Sequence, residues 1–141
     1  MNKYYIIMQD IFEKENVKHE EFMLNRITNF LGVPSPEVLS YEKNILKLEK
    51  IDGMSISDFY GDKDSDTPDN IYQSIREIIK ELLKLGICYP DITGYNFMID
   101  KKEKIWIVDF GHAYVTNPKD NIDKFVTKFI NGYNGWNPSF K

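Results

Sequence analysis

The chain has 141 residues, a formal net charge of -4, 42% hydrophobic residues and 14% aromatic residues. That length and aromatic content predict one domain with a hydrophobic core and exclude a disordered chain, while the acidic balance argues against the basic face of a nucleic-acid-binding protein. A single cysteine, Cys88, excludes an internal disulfide and a multi-cysteine metal site.

The opening MNKYYIIMQD has neither the long apolar region nor the small-residue cleavage site of a signal peptide, and no apolar run approaches the roughly 20 residues of a membrane span. The expectation is therefore a cytoplasmic or otherwise intracellular protein with no membrane or nucleic-acid partner. Up to about Phe30 the spacing favours helix: Tyr4, Ile7, Met8, Ile11 and Phe12 share one helical face, and Phe22, Met23, Ile27 and Phe30 continue it. A strand over Tyr4 to Met8 is the alternative. Gly32-Val33-Pro34-Ser35-Pro36 ends this segment, because proline cannot continue a helix. Two strands follow, Glu37 to Tyr41 and Asn44 to Ile51, turned by Glu42-Lys43 and ended by Asp52-Gly53.

Asp62, Asp64 and Asp66 alternate in a polar loop, but the glycine and distal glutamate of a calcium loop are out of register. Thr67-Pro68 predicts a helix start, with threonine as cap and proline at the first helical position. Ile71, Ile75, Ile78, Ile79, Leu82 and Leu85 form its apolar stripe, and Gly86 its stop. Cys88, set among apolar residues, reads as core packing. Two short strands, near Asn96 to Ile99 and Ile105 to Val108, are joined by the turn Asp100 to Lys104. Ile122, Phe125, Val126, Phe129 and Ile130 predict a further amphipathic helix.

Within this order the stretch CYPDITGYNFMIDKKEKIWIVDFG, residues 88–111, holds the chemistry. A hairpin brings the end of its second strand back beside the start of its first. Asn96 and Asp109 then meet at one end, with Asp91 in the adjoining loop. Two oxygen ligands beside a carboxylate suit a hard cation such as magnesium, with phosphate oxygens filling the remaining positions. A carboxylate beside that metal can orient an attacking hydroxyl or accept its proton.

From about Glu20 to Gly111 the chain resembles the protein-kinase-like superfamily. The resemblance rests on D-x-x-x-x-N at Asp91…Asn96, an apolar hairpin, and Asp109-Phe110-Gly111 at its end. The wording is more similar to RIO-type kinases and aminoglycoside phosphotransferases than to typical protein kinases. The resemblance implies an α+β fold: a truncated kinase-like domain over 1–141. Its remnant upper lobe, 1–52, would hold a helix and a small antiparallel sheet, with a hinge near 49–52. Its reduced helical lower lobe, 53–141, would carry the catalytic-loop hairpin.

It further implies ATP and Mg2+ as cofactors. Asp91, Asn96 and Asp109 would be catalytic, and Asn96 and Asp109 would hold the metal. The carbonyl of Glu49 and the amide of Ile51 would face adenine, with Met98 beneath the base. Glu20 matches the helix glutamate that pairs with the phosphate lysine, for which Lys3 is the candidate. The chain departs from the family in lacking the glycine-rich loop, in carrying Tyr89-Pro90 where His-Arg usually precedes the aspartate, and in placing Thr93 where many kinases have lysine. Two functions follow: a minimal Mg-ATP phosphotransferase acting on a hydroxyl, with its open nucleotide site covered by a partner protein or a second copy, or a pseudokinase scaffold. The tail Tyr133 to Phe140 reads either as a docking segment or as packing on the domain's own core.

Overall fold

The strand Tyr4–Met8 (β1) pairs antiparallel with Ile45–Glu49 (β3), which pairs on its other side with Val38–Glu42 (β2), giving the order β1-β3-β2. The computed structural model describes residues 4–8, 19, 22–23, 33–42, 45–116 and 122–140. Lys3 and Glu20 lie outside these residues, as does most of the segment read as helical. The helical expectation for Tyr4–Met8 is corrected here. A five-residue apolar run satisfies both periods, and its tyrosines and isoleucines suit a strand once β3 supplies hydrogen-bond partners. His19, Phe22 and Met23 are helical, as expected. The upper sheet therefore has three strands among the described residues, consistent with a reduced upper lobe.

After β3 the chain makes two elements that the sequence did not announce: a short strand, Gly53–Ser55 (β4), and a helix, Ile56–Tyr60 (α1), capped by the Ser55 hydroxyl accepting from the Asp58 amide. β4 joins the predicted hairpin, Phe97–Asp100 (β6) with Ile105–Ile107 (β7), in a second three-stranded sheet. Gly53 is required there, because a Cβ would stand 2.1 Å from the Ile99 carbonyl oxygen. Asp100 closes the hairpin turn: its Oδ1 accepts from the amides of Lys102 and Lys104, and its Oδ2 from the Trp106 indole. The indole bond is the main reason its carboxyl lies below the ordinary carboxylate range.

The long helix Asp69–Lys84 (α2) buries Ile71, Ile75, Ile78, Ile79 and Leu82 of the expected stripe, while Leu85 is its C-cap and only partly buried. Its start differs by one residue. Pro68 occupies the cap with extended backbone, and no side chain caps the helix. Gly86, at φ 78°, ends it with its amide on the Leu83 carbonyl. Ile87–Cys88 (β5) then pairs with Tyr114–Val115 (β8), and Lys124–Ile130 (α3) follows an Asp123 cap. Cys88 is buried, so its core role holds.

One hydrophobic cluster joins Met23 and Leu48 above to α2, the hairpin, Phe129 and Trp136 below. The Ile107 amide donating to the Pro34 carbonyl fastens the connector before β2 to the lower hairpin. The architecture of the described residues is α+β, with two three-stranded antiparallel sheets, the two-stranded pair β5-β8 and few helices. Among the described residues, no helix is long and apolar enough to cross a membrane.

Candidate functional site

The loop between β5 and β6 is built from short-range turns. The Ile92 amide donates to the Pro90 carbonyl, Thr93 to Asp91 and Asn96 to Thr93. Two close approaches hold the loop from below. The Ser57 amide donates to the Gly94 carbonyl, and a Cβ at Gly94 would sit 2.0 Å from Ser57 Oγ. Only glycine lets α1 come this near. Thr93, at the position where many kinases present lysine, is buried.

Asp91 leaves this loop with its residue only 7% exposed. Its Oδ2 lies 3.1 Å from His112 Nδ1. A carboxylate only accepts, so the imidazole Nδ1–H is the donor. Burial raises the Asp91 pKa above the ordinary aspartate value, and the neighbouring Asp109 charge adds to the rise; hydrogen bonding by His112 and Asn96 opposes it. The Asn96 amide nitrogen donates to the Asp91 carbonyl at 2.9 Å, which fixes the side chain and leaves its Oδ1 oxygen for another partner.

Asp109 follows the end of β7 by two residues. The Val108 amide donates to the Asn96 carbonyl, so Asn96 and Asp109 stand at the same end of the hairpin. Asp109 is exposed and has φ 62°, the left-handed region that few residues other than glycine adopt. Two groups hold this turn. Its Oδ1 accepts from the Gly111 amide, and the Tyr89 hydroxyl reaches the carbonyls of both Val108 (2.5 Å) and Asp109 (2.8 Å). Phe110 is fully buried against Tyr89, with ring centroids 5.3 Å apart. Tyr89 thus has a structural task at the position where the sequence departs from the His-Arg pattern.

The structure brings Asp91, Asn96 and Asp109 to one end of the hairpin. Glu49 closes β3 and faces Tyr4 in register, with its side chain accepting from the Glu37 amide. Ile51 is buried in the connector that follows, and its carbonyl accepts from the Gly53 amide. Glu49 and Ile51 line a cavity of about 220 Å³ together with Asp100, Lys101 and Trp106. Met98 is half-buried on β6 between Ser55 and Trp106, outside that lining. Lys3 and Glu20 lie outside the described residues.

Two participants escaped the sequence reading. His112 directly follows Asp109-Phe110-Gly111, and its imidazole alone was a signal. Asn137 carried none. No group of three or more His, Cys, Asp or Glu side chains suited to a metal occurs among the described residues. The donor set at the hairpin end is one carboxylate and one amide oxygen, a pair that fits a magnesium ion whose other ligands are phosphate oxygens and water.

The family model described as the RIO domain matches residues 6–131. The EKC/KEOPS complex subunit BUD32 of Encephalitozoon cuniculi is 27% identical over 113 residues, covering 80% of this chain and 54% of that protein. The O-antigen chain terminator bifunctional methyltransferase/kinase WbdD of Escherichia coli is 27% identical over 126 residues, covering 83% of this chain and 18% of WbdD. A 3-deoxy-D-manno-octulosonic acid kinase of Vibrio parahaemolyticus is 33% identical over 66 residues, covering 44% of this chain and 28% of the kinase. The chain thus spans about half or less of each of these relatives. The structure of WbdD with the kinase inhibitor LY294002 superposes with a TM-score of 0.61 at 21% identity, over 82% of this chain and 30% of that one.

Proposed function

The chain belongs to the RIO domain family of the protein-kinase-like superfamily, and from that premise we propose that it is a phosphotransferase that uses Mg-ATP to phosphorylate a hydroxyl acceptor. The observation that carries this reading is the gathering of Asp91, Asn96 and Asp109 at one hairpin end, with Asp91 buried and Asp109 exposed.

In this reading Asp91 orients the acceptor hydroxyl and receives its proton as the oxygen–phosphorus bond forms and the bond to the leaving diphosphate oxygen breaks. The amide oxygen of Asn96 and the carboxylate of Asp109 hold magnesium, which when bound neutralises phosphate charge. Tyr89 keeps the Asp109 backbone in its left-handed turn, so the carboxylate is set before the nucleotide arrives. Glu49 and Ile51 present backbone groups to adenine, and Met98 packs under the base. Lys3 and Glu20 complete the phosphate grip. A partner protein or a second copy covers the nucleotide site. The similarity to BUD32, a subunit of the EKC/KEOPS complex, supports a partnered state.

A scaffold without catalysis is the second reading. It is favoured by His112 holding one of the two Asp91 oxygens that would receive a proton. Thermal-shift titrations of wild type, Asp91→Asn and Asp109→Asn with ATP, with and without magnesium, separate the two when paired with a phosphate-transfer assay. The phosphotransferase gives a magnesium-dependent rise in the thermal midpoint that Asp109→Asn removes. Asp91→Asn keeps that rise and loses transfer. A wild type that ignores millimolar Mg-ATP sinks the phosphotransferase reading.

A further inference from the structure

The last eight described residues, Tyr133 to Phe140, are bound to the domain at four successive points. Arg76, buried on α2, donates from Nη2 to the Tyr133 carbonyl at 3.0 Å and to Asn134 Oδ1 at 2.6 Å. The Trp136 amide donates to Asp64 Oδ1, and the indole lies against the Tyr72 ring at 4.8 Å between centroids. Asn137, 3% exposed, reaches the catalytic loop itself: its amide donates to the Ile92 carbonyl at 2.8 Å and its Nδ2 to the Pro90 carbonyl at 2.7 Å. The two carbonyls it holds flank Asp91. Its own Oδ1 accepts from the Ser139 amide, which fixes which way the side-chain amide points. Phe140 then lies 5.0 Å from the His112 ring, and His112 donates to the Asp91 carboxylate.

We propose that the segment 133–140 is a clasp that positions Asp91, with Asn137 fixing the backbone on both sides of it and Phe140 and His112 fixing its carboxylate. The aspartate is thereby set by a part of the chain 47 residues away from Pro90, rather than by the loop's own turns. Those turns are single amide-to-carbonyl contacts two or three residues apart, and with the Asn96 side chain on the Asp91 carbonyl they constrain the loop's path but not the χ angles of Asp91. Asn137, Phe140 and His112 are positioning residues. None of them needs to touch nucleotide or acceptor. This also assigns the tail to its own domain: Trp136 and Asn137 are buried here and are not offered to a partner.

The functional consequence rests on the phosphotransferase reading, so the test pairs a structural readout with a kinetic one. Amide hydrogen exchange is followed residue by residue in wild type, Asn137→Ala and Phe140→Ala, with α2 as internal reference. His112→Gln retains a donor for Asp91, whereas His112→Phe keeps a ring for Phe140 and removes the donor. The clasp predicts at least tenfold faster exchange over residues 91–96 in Asn137→Ala, with α2 unchanged. It predicts at least tenfold lower turnover in Asn137→Ala and His112→Phe at an unchanged KM for ATP, and turnover restored to within about threefold of wild type in His112→Gln.

Should Asn137→Ala fail to fold, Phe140→Ala carries the same comparison through the His112 ring resonances, which must shift together with the Asp91 and Ile92 amides. Unchanged exchange over 91–96 and unmoved resonances overturn the clasp, whatever the activity. Equal turnover in His112→Phe and His112→Gln overturns the assignment of His112. A wild type with no transfer overturns the phosphotransferase reading alone, and exchange and ring resonances still decide the clasp.

Discussion

Asp91 and Asp109 are chemically identical side chains at one end of one hairpin, and the fold treats them in opposite ways. Asp91 is withdrawn into the protein, held by an imidazole and pushed toward its protonated form by burial. Asp109 stands in solvent on a left-handed backbone that the Tyr89 hydroxyl fastens from behind. A buried carboxylate with a raised pKa is suited to exchange a proton, whereas an exposed one has oxygens that a cation can reach. Environment rather than residue type separates the two side chains.

The sharpest way to break this comparison is Asp91→Asn. If Asp91 is the proton acceptor of the proposed phosphotransferase, turnover should fall about 10²–10⁴-fold. The same change raises stability at neutral pH. The raised folded-state pKa means that the fold favours the protonated carboxyl, so this group's contribution is fully present below its unfolded pKa and is lost as pH rises through its folded pKa. Asparagine removes the buried charge, and the thermal midpoint should rise while turnover falls. A falling midpoint would show that the bond with His112 outweighs the cost of burial. In the wild type, the acid limb of a pH–rate profile should lie above the ordinary aspartate value of 3.8, with the His112 imidazole and the Asp109 carboxylate as the titratable neighbours facing Asp91.

The second test acts on the exposed member. Asp109→Asn keeps the left-handed turn, because asparagine tolerates that conformation, but removes the charge of the proposed magnesium ligand. Mg-ATP affinity should fall on the order of a hundredfold, with little change in the thermal midpoint of the free protein; isothermal titration measures the first and calorimetry the second.

Smaller effects follow from the supports. Gly94→Ala forces Ser57 away from the loop and should cost about 1–3 kcal/mol in chemical denaturation. Tyr89→Phe leaves the ring packing but takes the donor from the Val108 and Asp109 carbonyls, a loss of about 1 kcal/mol. Its mark should be a shifted Gly111 amide resonance, since that amide donates to the Asp109 side chain. The smallest change is expected from Glu81→Gln, which removes an exposed ion pair with Lys84 worth about 0.5 kcal/mol or less.

The sequence by itself determined what short-range chemistry can determine. The stripe on α2, the glycine that stops it, the hairpin at Phe97–Ile107 and the meeting of Asn96 with Asp109 all follow from side-chain period and turn residues within short stretches of the chain. The α+β class and the resemblance to kinases rest on the same local spacings. Only the tertiary structure decided that Tyr4–Met8 is a strand, because a five-residue apolar run takes its conformation from the neighbour that pairs with it. Likewise, β4 and α1 exist because the hairpin offers an edge and Gly94 a carbonyl. Tyr89, His112 and Asn137 meet their partners across 20, 21 and 47 residues, and no periodicity encodes contacts of that range. Such contacts form only when packing has fixed the positions of several elements at once, and here they are what set the two aspartates apart.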